Sequence, residues 1–494
     1  METPRPDAST TKGAGRGPSV LWLRRDLRTG DHPALAAAAE AAAGADAGVV
    51  ALFVLDPALW SGAGPVRRAW LSASLQALDA DLDGRLVVRV GSPEEVVPAV
   101  VREVGAGSVH LTRETTGYGV RRDRRVRAAL EGDHSTAGSG RSDGGKGPGR
   151  PDDPTVAWVE TGTPYAVDPG TIRTQEGSPY KVFTPFSRAW REHGWPAPAP
   201  RPERLDLVEL GRDEDADRLL SEALAGPNLP ALPRAGEDAA LARWREFLDG
   251  GMTSYRRDRD RPAADGTSRL SPYLKIGALH PRTLLADLAR RRGEGAQTYV
   301  TELAWREFYA DVLHAQPATA WQDLRPALSG MRYDEPEDAI EAWKQGRTGY
   351  PVVDAGMRQL LGMGWMHNRV RMITASFLTK DLHVWWPVGA RWFLDRLVDG
   401  DLASNNHGWQ WVAGTGTDAA PYFRVFNPVS QGEKFDPDGD YVRRWVPELR
   451  HLPGAAVHRP WDHDEGYAHD YPRRIVDHAE ERREALARYE EVKG

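Results

Sequence analysis

The sequence predicts an α/β protein in two parts, an N-terminal doubly wound parallel sheet domain followed by an all-helical domain. Three observations predict it. Short apolar runs alternate with helical segments in the first third, a Pro-, Ala- and charge-rich stretch follows over residues 196–238, and strand-like alternation nearly vanishes from Asp238 onward. At 494 residues the chain is long enough for two or three domains, each with its own core.

Residues 1–18 form a Pro/Gly/Arg leader without the apolar centre of a signal peptide, expected to be disordered. The sheet domain is expected over 19–195. Residues 20–23 and 49–55 read as its first two strands, joined by an Ala-rich helix over 33–43 with Pro33 in its first turn. A third strand is expected at 86–90, a helix at 96–104, a fourth strand at 109–111 and a fifth at 156–159. No Gly-x-Gly-x-x-Gly follows the first strand, which argues against a conventional dinucleotide site there. Residues 131–154 are Gly, Ser, Asp and Pro with almost nothing apolar, and read as a flexible insertion. Residues 196–238 read as an interdomain linker and 239–480 as the helical domain, with helices at 241–247, 281–291, 300–313, 351–361, 368–378 and 388–397.

Composition removes several function classes. The absence of cysteine excludes disulfides, thiolate metal sites and thiol nucleophiles, and fits a reducing cytoplasm. No apolar run reaches membrane-spanning length, and no metal is expected. The net charge of −7 argues on its face against nucleic acid, but a local basic face is what neutralises phosphates. Arginine is concentrated at 256, 257, 259 and 261, and again at 358, 369 and 371. Eleven of the 18 tryptophans lie beyond residue 300.

Four segments could carry chemistry. Asn405-Asn406-His407-Gly408-Trp409-Gln410-Trp411 sets two indoles beside adjacent amides, a combination suited to a flat heterocycle with redox chemistry. Core packing is the competing reading for any one tryptophan. Gly266–Pro272 is a hydroxyl-rich turn into a helix, with Ser271 as N-cap and Pro272 at the first position; it reads as a helix start or as a phosphate site. On a helix, Glu302 shares a face with Trp305 and with Arg306, either as a salt bridge beside a core indole or as part of a site. The 364–372 segment offers Asn368, Arg369, Arg371 and Met372, and Asp399 or Asp401 could partner a buried guanidinium. His367 reads as a structural histidine.

In order, these blocks resemble the DNA photolyase/cryptochrome family, most of all the bacterial class I cyclobutane pyrimidine dimer photolyases. The resemblance runs from Trp22-Leu23-Arg24-Arg25-Asp26-Leu27-Arg28 to Gln431-Gly432-Glu433-Lys434-Phe435, through 180–186, 267–271, 305–309, 346–351 and 399–428. It implies FAD in the helical domain, active in its reduced, anionic form. Tyr255, Thr267, Ser268, Arg269, Leu270 and Ser271 match positions that hold its phosphates and ribityl chain. Arg371 and Asp399 match the ion pair beside the isoalloxazine, Asp401 a further polar contact, and Asn405 the residue facing N5. Asparagine has no proton to give N5, in keeping with an anionic reduced flavin.

The resemblance also implies UV-damaged DNA as the partner of a monomeric enzyme. Photolyases flip their target out of the duplex. Trp305 and Trp411 match the apolar walls around the flipped dimer, Met372 the residue beneath it, and Glu302 and Asn368 its hydrogen-bonding groups. A desolvated pocket would keep Glu302 protonated. Arg259, Arg306, Arg369 and Gln431 match positions along the damaged strand. Trp409 and Trp386 match the inner members of a tryptophan electron path, whose outer position aligns to Tyr333; Trp321 is another exit. His407 stands where glycine is common, and Tyr299 where tryptophan is frequent. Thr116-Gly117-Tyr118-Gly119-Val120-Arg121-Arg122-Asp123 is similar to the segment of relatives carrying an antenna, favouring 8-hydroxy-5-deazaflavin over methenyltetrahydrofolate. A signalling cryptochrome without repair activity is the alternative. Asn405, Trp411 and the lack of a long C-terminal tail favour repair.

Overall fold

The computed structural model describes residues 17–136, 156–325, 328, 330–417 and 424–493. Nearly all of the expected leader, the insertion from 137 to 154 and the 418–423 part of the C-terminal block lie outside the described residues.

Five strands, β1 (Ser19–Leu23), β2 (Val49–Leu55), β3 (Val87–Val90), β4 (Ser108–Leu111) and β5 (Ala157–Glu160), form one sheet in the order β3-β2-β1-β4-β5. Every pairing is parallel, with Leu21 of β1 level with Ala51 on one side and His110 on the other. Every residue of β1 and β2 is buried, because helices cover both faces and leave no wet side for alternation. The winding reverses between β1 and β4, so the carboxyl ends of these strands open onto a crevice of the kind that binds ligands.

Two expectations need correction. The Gly117–Thr136 helix runs through the first six residues of the 131–154 segment, carried by the preceding charged turns. Residues 196–238 are not a free linker: Val49 N–H donates to Asp206 O at 2.7 Å, and Leu207 bridges Val49 in parallel. The helix Glu214–Leu224 within it is capped by Asp213 and buries Ala216 and Leu220. Three acidic residues in its first turn suit the helix dipole.

Beyond residue 236 the described fold is helical, with long helices at Glu237–Gly250, Pro281–Ala289, Glu294–Ala315, Pro351–Met363, Asn368–Ser376, Trp386–Arg396 and Leu402–Ala413. The helix expected to run to 378 widens into a π turn over Phe377–Asp381. A single apolar cluster joins Leu21 of β1 to Leu303 and Phe308 of the Glu294–Ala315 helix. Polar clamps hold the same seam. Arg282 pairs with Asp31 at 2.7 Å, and the buried Glu307 accepts from Ala166 N, Val167 N and Trp190 Nε1 at 2.5, 3.0 and 2.8 Å. Gly277 is required there: its φ is +73°, and a Cβ would collide with the Arg25 carbonyl.

Candidate active site

The Glu294–Ala315, Asn368–Ser376 and Leu402–Ala413 helices enclose a cavity of about 470 Å³, within the usual range for a small-molecule site. Its wall gathers Arg259, Ser271, Glu302, Trp305, Arg306, Asn368, Arg369, Arg371, Met372, Asp399, Asp401, Asn405, Trp409 and Trp411, all singled out from sequence. Residues more than a hundred positions apart therefore meet in one place. Lys275 and Tyr309 also line it; Tyr309 lies in the 305–309 block without an assigned role, and Lys275 did not stand out in the sequence. Lys275 sits between the hydroxyl-rich turn and the α/β seam, where its Nζ lies 3.8 Å from Asp401.

Arg371 donates to Met366 O and to Asp399 Oδ2, each at 2.8 Å. The other carboxylate oxygen of Asp399 is buried with no hydrogen-bond partner, although Asp399 lines the cavity. Such an acceptor costs stability unless a donor reaches it, so this wall is built for a ligand bearing N–H or O–H groups. Asn405 gives its amide protons to Ala390 O at 3.1 Å and to Asn406 Oδ1 at 2.8 Å. Its carbonyl oxygen is left as the group to meet a ligand donor. Asp401 caps the Leu402–Ala413 helix through Ser404 N and pairs with Arg25 at 3.0 Å. Lys275 and Arg25 hold its carboxyl far below the usual range against the opposing effect of burial.

Trp305 stacks on Phe183, with ring centroids 3.6 Å apart and planes 6° from parallel. Arg424 lies over the Trp411 ring at 4.9 Å. Glu302 does not bridge to Arg306 along its helix. It pairs with Arg259, while burial pushes its carboxyl upward and the Arg259 guanidinium opposes that. Arg306 turns instead to the Pro164 and Leu274 carbonyls at 3.1 and 3.3 Å, since buried carbonyls there need donors. It is thus a seam residue, a role apart from the strand contact expected of it. Arg369 pairs with Asp260 at 2.8 Å and lies over Phe435 at 4.4 Å, which packs the end of the Pro428–Phe435 helix, one turn from Gln431, against this wall residue. Arg358 is remote from this basic face, held by Glu448 at 2.7 Å.

The remaining sequence candidates do not line this cavity, and the turn before Ser271 is held from within the protein. Ser271 opens its helix, and Leu270, not Ser271, occupies the N-cap position. Ser268 Oγ hydrogen-bonds Tyr299 at 2.8 Å, so the hydroxyl that Tyr299 carries is used inside the protein. Arg243 holds the turn through the Thr267 and Ser268 carbonyls at 3.1 and 3.0 Å. Arg269, at φ +52°, pairs with Asp265 at 2.9 Å, and Tyr255 is buried between Phe247 and Tyr299. His407 is fully buried, contacts Ala403 O and Thr319 Oγ1 at 2.9 and 3.0 Å, and stacks on Tyr309. Burial lowers its pKa to about 4, so it is neutral. His367 caps its own helix by accepting from Arg369 N, as expected of a structural histidine.

Trp409 and Trp386 lie outside solvent, 3 % and 0 % exposed. Gly389, one turn along the helix from Trp386, lets that helix press against the Trp409 ring; a Cβ there would overlap it. Tyr333 lies farther out on the Met331–Asp334 segment, partly buried.

A second cavity, about 550 Å³, opens at the carboxyl ends of β1 and β2. It is lined by Trp22, Arg24, Asp56, Trp60 and the 116–122 segment, and shares Lys275 and Asp401 with the first.

Comparison with known proteins agrees with this geometry. Residues 19–203 match the family model described as DNA photolyase, and residues 299–491 match the one described as the FAD binding domain of DNA photolyase. The deoxyribodipyrimidine photo-lyase of Halobacterium salinarum is 40 % identical over 96 % of this chain and 99 % of its own. A bacterial class III photolyase structure from Agrobacterium tumefaciens superposes with a TM-score of 0.83 at 35 % identity, covering 99 % of this chain and 100 % of that one. An archaeal photolyase from Sulfolobus tokodaii, whose structure holds two FAD molecules, superposes with a TM-score of 0.79 at 28 % identity over 96 % of this chain and 99 % of that one. The chain belongs to the DNA photolyase family.

Proposed function

We propose that this chain repairs cyclobutane pyrimidine dimers in DNA with blue light, using FAD bound in the helical part. The observation that carries the reading is the single cavity in which flavin-type contacts (Arg371, Asp399, Asn405) meet base-sized apolar walls (Trp305, Trp411, Met372). The residues present fit FAD: the Asp399 oxygen lacks a donor, and the Asn405 carbonyl suits the N–H of a reduced ring. Reduced FAD, when bound, supplies the photoexcited electron that opens the cyclobutane ring.

The chain's own residues do the rest. Trp305 and Trp411 stack on the extruded bases, each contact worth roughly 1–3 kcal/mol, which offsets unstacking from the duplex. Glu302, with its raised pKa, and Asn368 hydrogen-bond the dimer's carbonyl and imide groups. Arg259 and Arg369 exchange their carboxylate partners for phosphates as DNA arrives, and Gln431 flanks the strand. We assign Tyr255, Thr267, Ser268, Arg269, Leu270 and Ser271 to the phosphate and ribityl end, with Lys275 added. The domain limits 19–195 and 239–480, a monomeric state and a cytoplasmic location belong to the same reading. No helix among the described residues is long and apolar enough to cross a membrane.

We further assign the second cavity to an antenna, 8-hydroxy-5-deazaflavin in preference to methenyltetrahydrofolate. The support is that the 116–122 segment, Trp22 and Trp60 line it, a wall suited to a flat tricyclic ring. Absorption of the chromophore released from purified enzyme separates the two, because a deazaflavin absorbs at longer wavelength. Loss of dimer from a thymine-dimer oligonucleotide, followed in blue light and in darkness with reduced enzyme, tests the main reading. No light-dependent loss would sink it.

A further inference from the structure

We infer that Asp323 accepts the indole proton of Trp386 during light-driven reduction of the flavin, and so ends the electron path at Trp386 instead of Tyr333. The inference rests on the light-driven FAD chemistry proposed above. Trp386 is 0 % exposed and donates its Nε1–H to Asp323 Oδ1 at 2.6 Å. Among the described residues Asp323 has no ion pair, and burial pushes its carboxyl above its ordinary value. Tyr333 is the titratable neighbour that senses its charge.

An indole that has lost one electron is a far stronger acid than indole itself. Trp386 has no water to take its proton, but it already has a carboxylate on the N–H. The step balances. Trp409 gives one electron to the photoexcited, oxidised flavin, and Trp386 gives one electron to Trp409. The Nε1–H bond of Trp386 then breaks as an O–H bond forms on Asp323. The products are a neutral indolyl radical, a neutral carboxylic acid and a flavin reduced by one electron. Without the proton shift the positive hole would remain free to run back.

Trp385, 41 % exposed, also reaches the Asp323 carboxylate, but the remaining exits lack such a base. Trp343 lies edge-on to Trp409 at 6.1 Å, but its Nε1–H faces the Thr374 carbonyl at 3.0 Å, which cannot take up a proton. Trp321 lies under the Arg391 guanidinium at 4.7 Å, where a positive hole is repelled. Tyrosine oxidation requires the phenol proton to leave, yet burial, then the negative Asp323, push the Tyr333 phenol above its ordinary value. Tyr333 feels Asp323 through charge and makes no hydrogen bond to it, so its phenol has no base in contact to take the proton.

Transient absorption after a blue flash on the FAD-loaded, oxidised enzyme tests this in H₂O and D₂O. The wild-type chain should form the neutral indolyl radical, more slowly in D₂O, with no tyrosyl radical. Asp323→Asn keeps an oxygen acceptor for the indole but cannot hold the proton. It should show only the indole radical cation, rapid charge return and loss of net photoreduction. A tyrosyl radical in the wild type, no tryptophan radical at all, an unchanged neutral radical in Asp323→Asn, or loss of photoreduction in Tyr333→Phe would each overturn the inference. The wild-type isotope measurement stands even where a variant fails to fold. Chemical reduction bypasses the path, so absence of repair by dithionite-reduced enzyme would count against the repair reading alone.

Discussion

Replacing Trp305 by alanine should separate recognition of damage from binding of DNA in general. The indole lies flat against Phe183, its centroid 3.6 Å away, and lines the cavity. Its loss removes a stacking contact worth roughly 1–3 kcal/mol. At 1.4 kcal/mol per decade, affinity for a dimer-containing duplex should fall by about 5- to 150-fold. Phe183 decides where in that range the variant falls. Once the indole is gone, the phenyl ring becomes the new wall one ring thickness deeper, and a base that can sink to it regains part of the stacking. The expected loss is therefore at the lower end, and larger in Trp305→Ala combined with Phe183→Ala. Fluorescence anisotropy in darkness, on damaged and undamaged duplexes of one sequence, measures the ratio. Weakening should be confined to the damaged duplex, with FAD content unchanged. Equal weakening on both, or none on either, would refute the stacking role.

Arg369→Ala should weaken binding to damaged and undamaged DNA alike and reduce the magnitude of the slope of log K against log salt by about 0.9, measured by a salt titration. Burial lowers the Lys275 pKa to about 8, aided by Arg25 and opposed by Asp401. The side chain is cationic below that value and neutral above it, so affinity for the dianionic pyrophosphate of FAD should fall as pH rises through about 8; flavin release followed by fluorescence should lose this step in Lys275→Met. Gly389→Ala forces a methyl into the Trp409 ring and should cost about 1–3 kcal/mol of stability, read from denaturant midpoints, together with a displaced or quenched tryptophan path.

The sheet was legible because its central strands are continuous apolar runs. The expected 49–55 strand coincides with β2, and 20–23 differs from β1 by one residue. The Glu214–Leu224 helix was hidden by composition, although Asp213 followed by an acidic turn was a readable start signal. Within the site, the residues on the Glu294–Ala315, Asn368–Ser376 and Leu402–Ala413 helices carried their own local motifs. Lys275 and Asp323 did not, and Phe183 lay in the matching 180–186 block without a role of its own. Each matters through a partner 63 or more positions away: Asp401, Trp386 and Trp305 respectively. Such pairings are fixed by packing, and no local pattern encodes them. The turn at 266–272 shows the converse, since a helix start one residue from the expected one concealed that the Ser268 hydroxyl and the Thr267 and Ser268 carbonyls are engaged inside the protein.

Lys275 and Asp401 form a wall common to both cavities. A ligand's charge in one is therefore felt in the other across a thickness of two side chains. Were the proposed antenna bound at the carboxyl ends of β1 and β2, its colour would become an internal voltmeter for the helical cavity: its absorption band would shift electrochromically when the net charge there changed. By the same token a substitution at either wall residue disturbs two optical sites at once, and its spectrum has to be read as a sum.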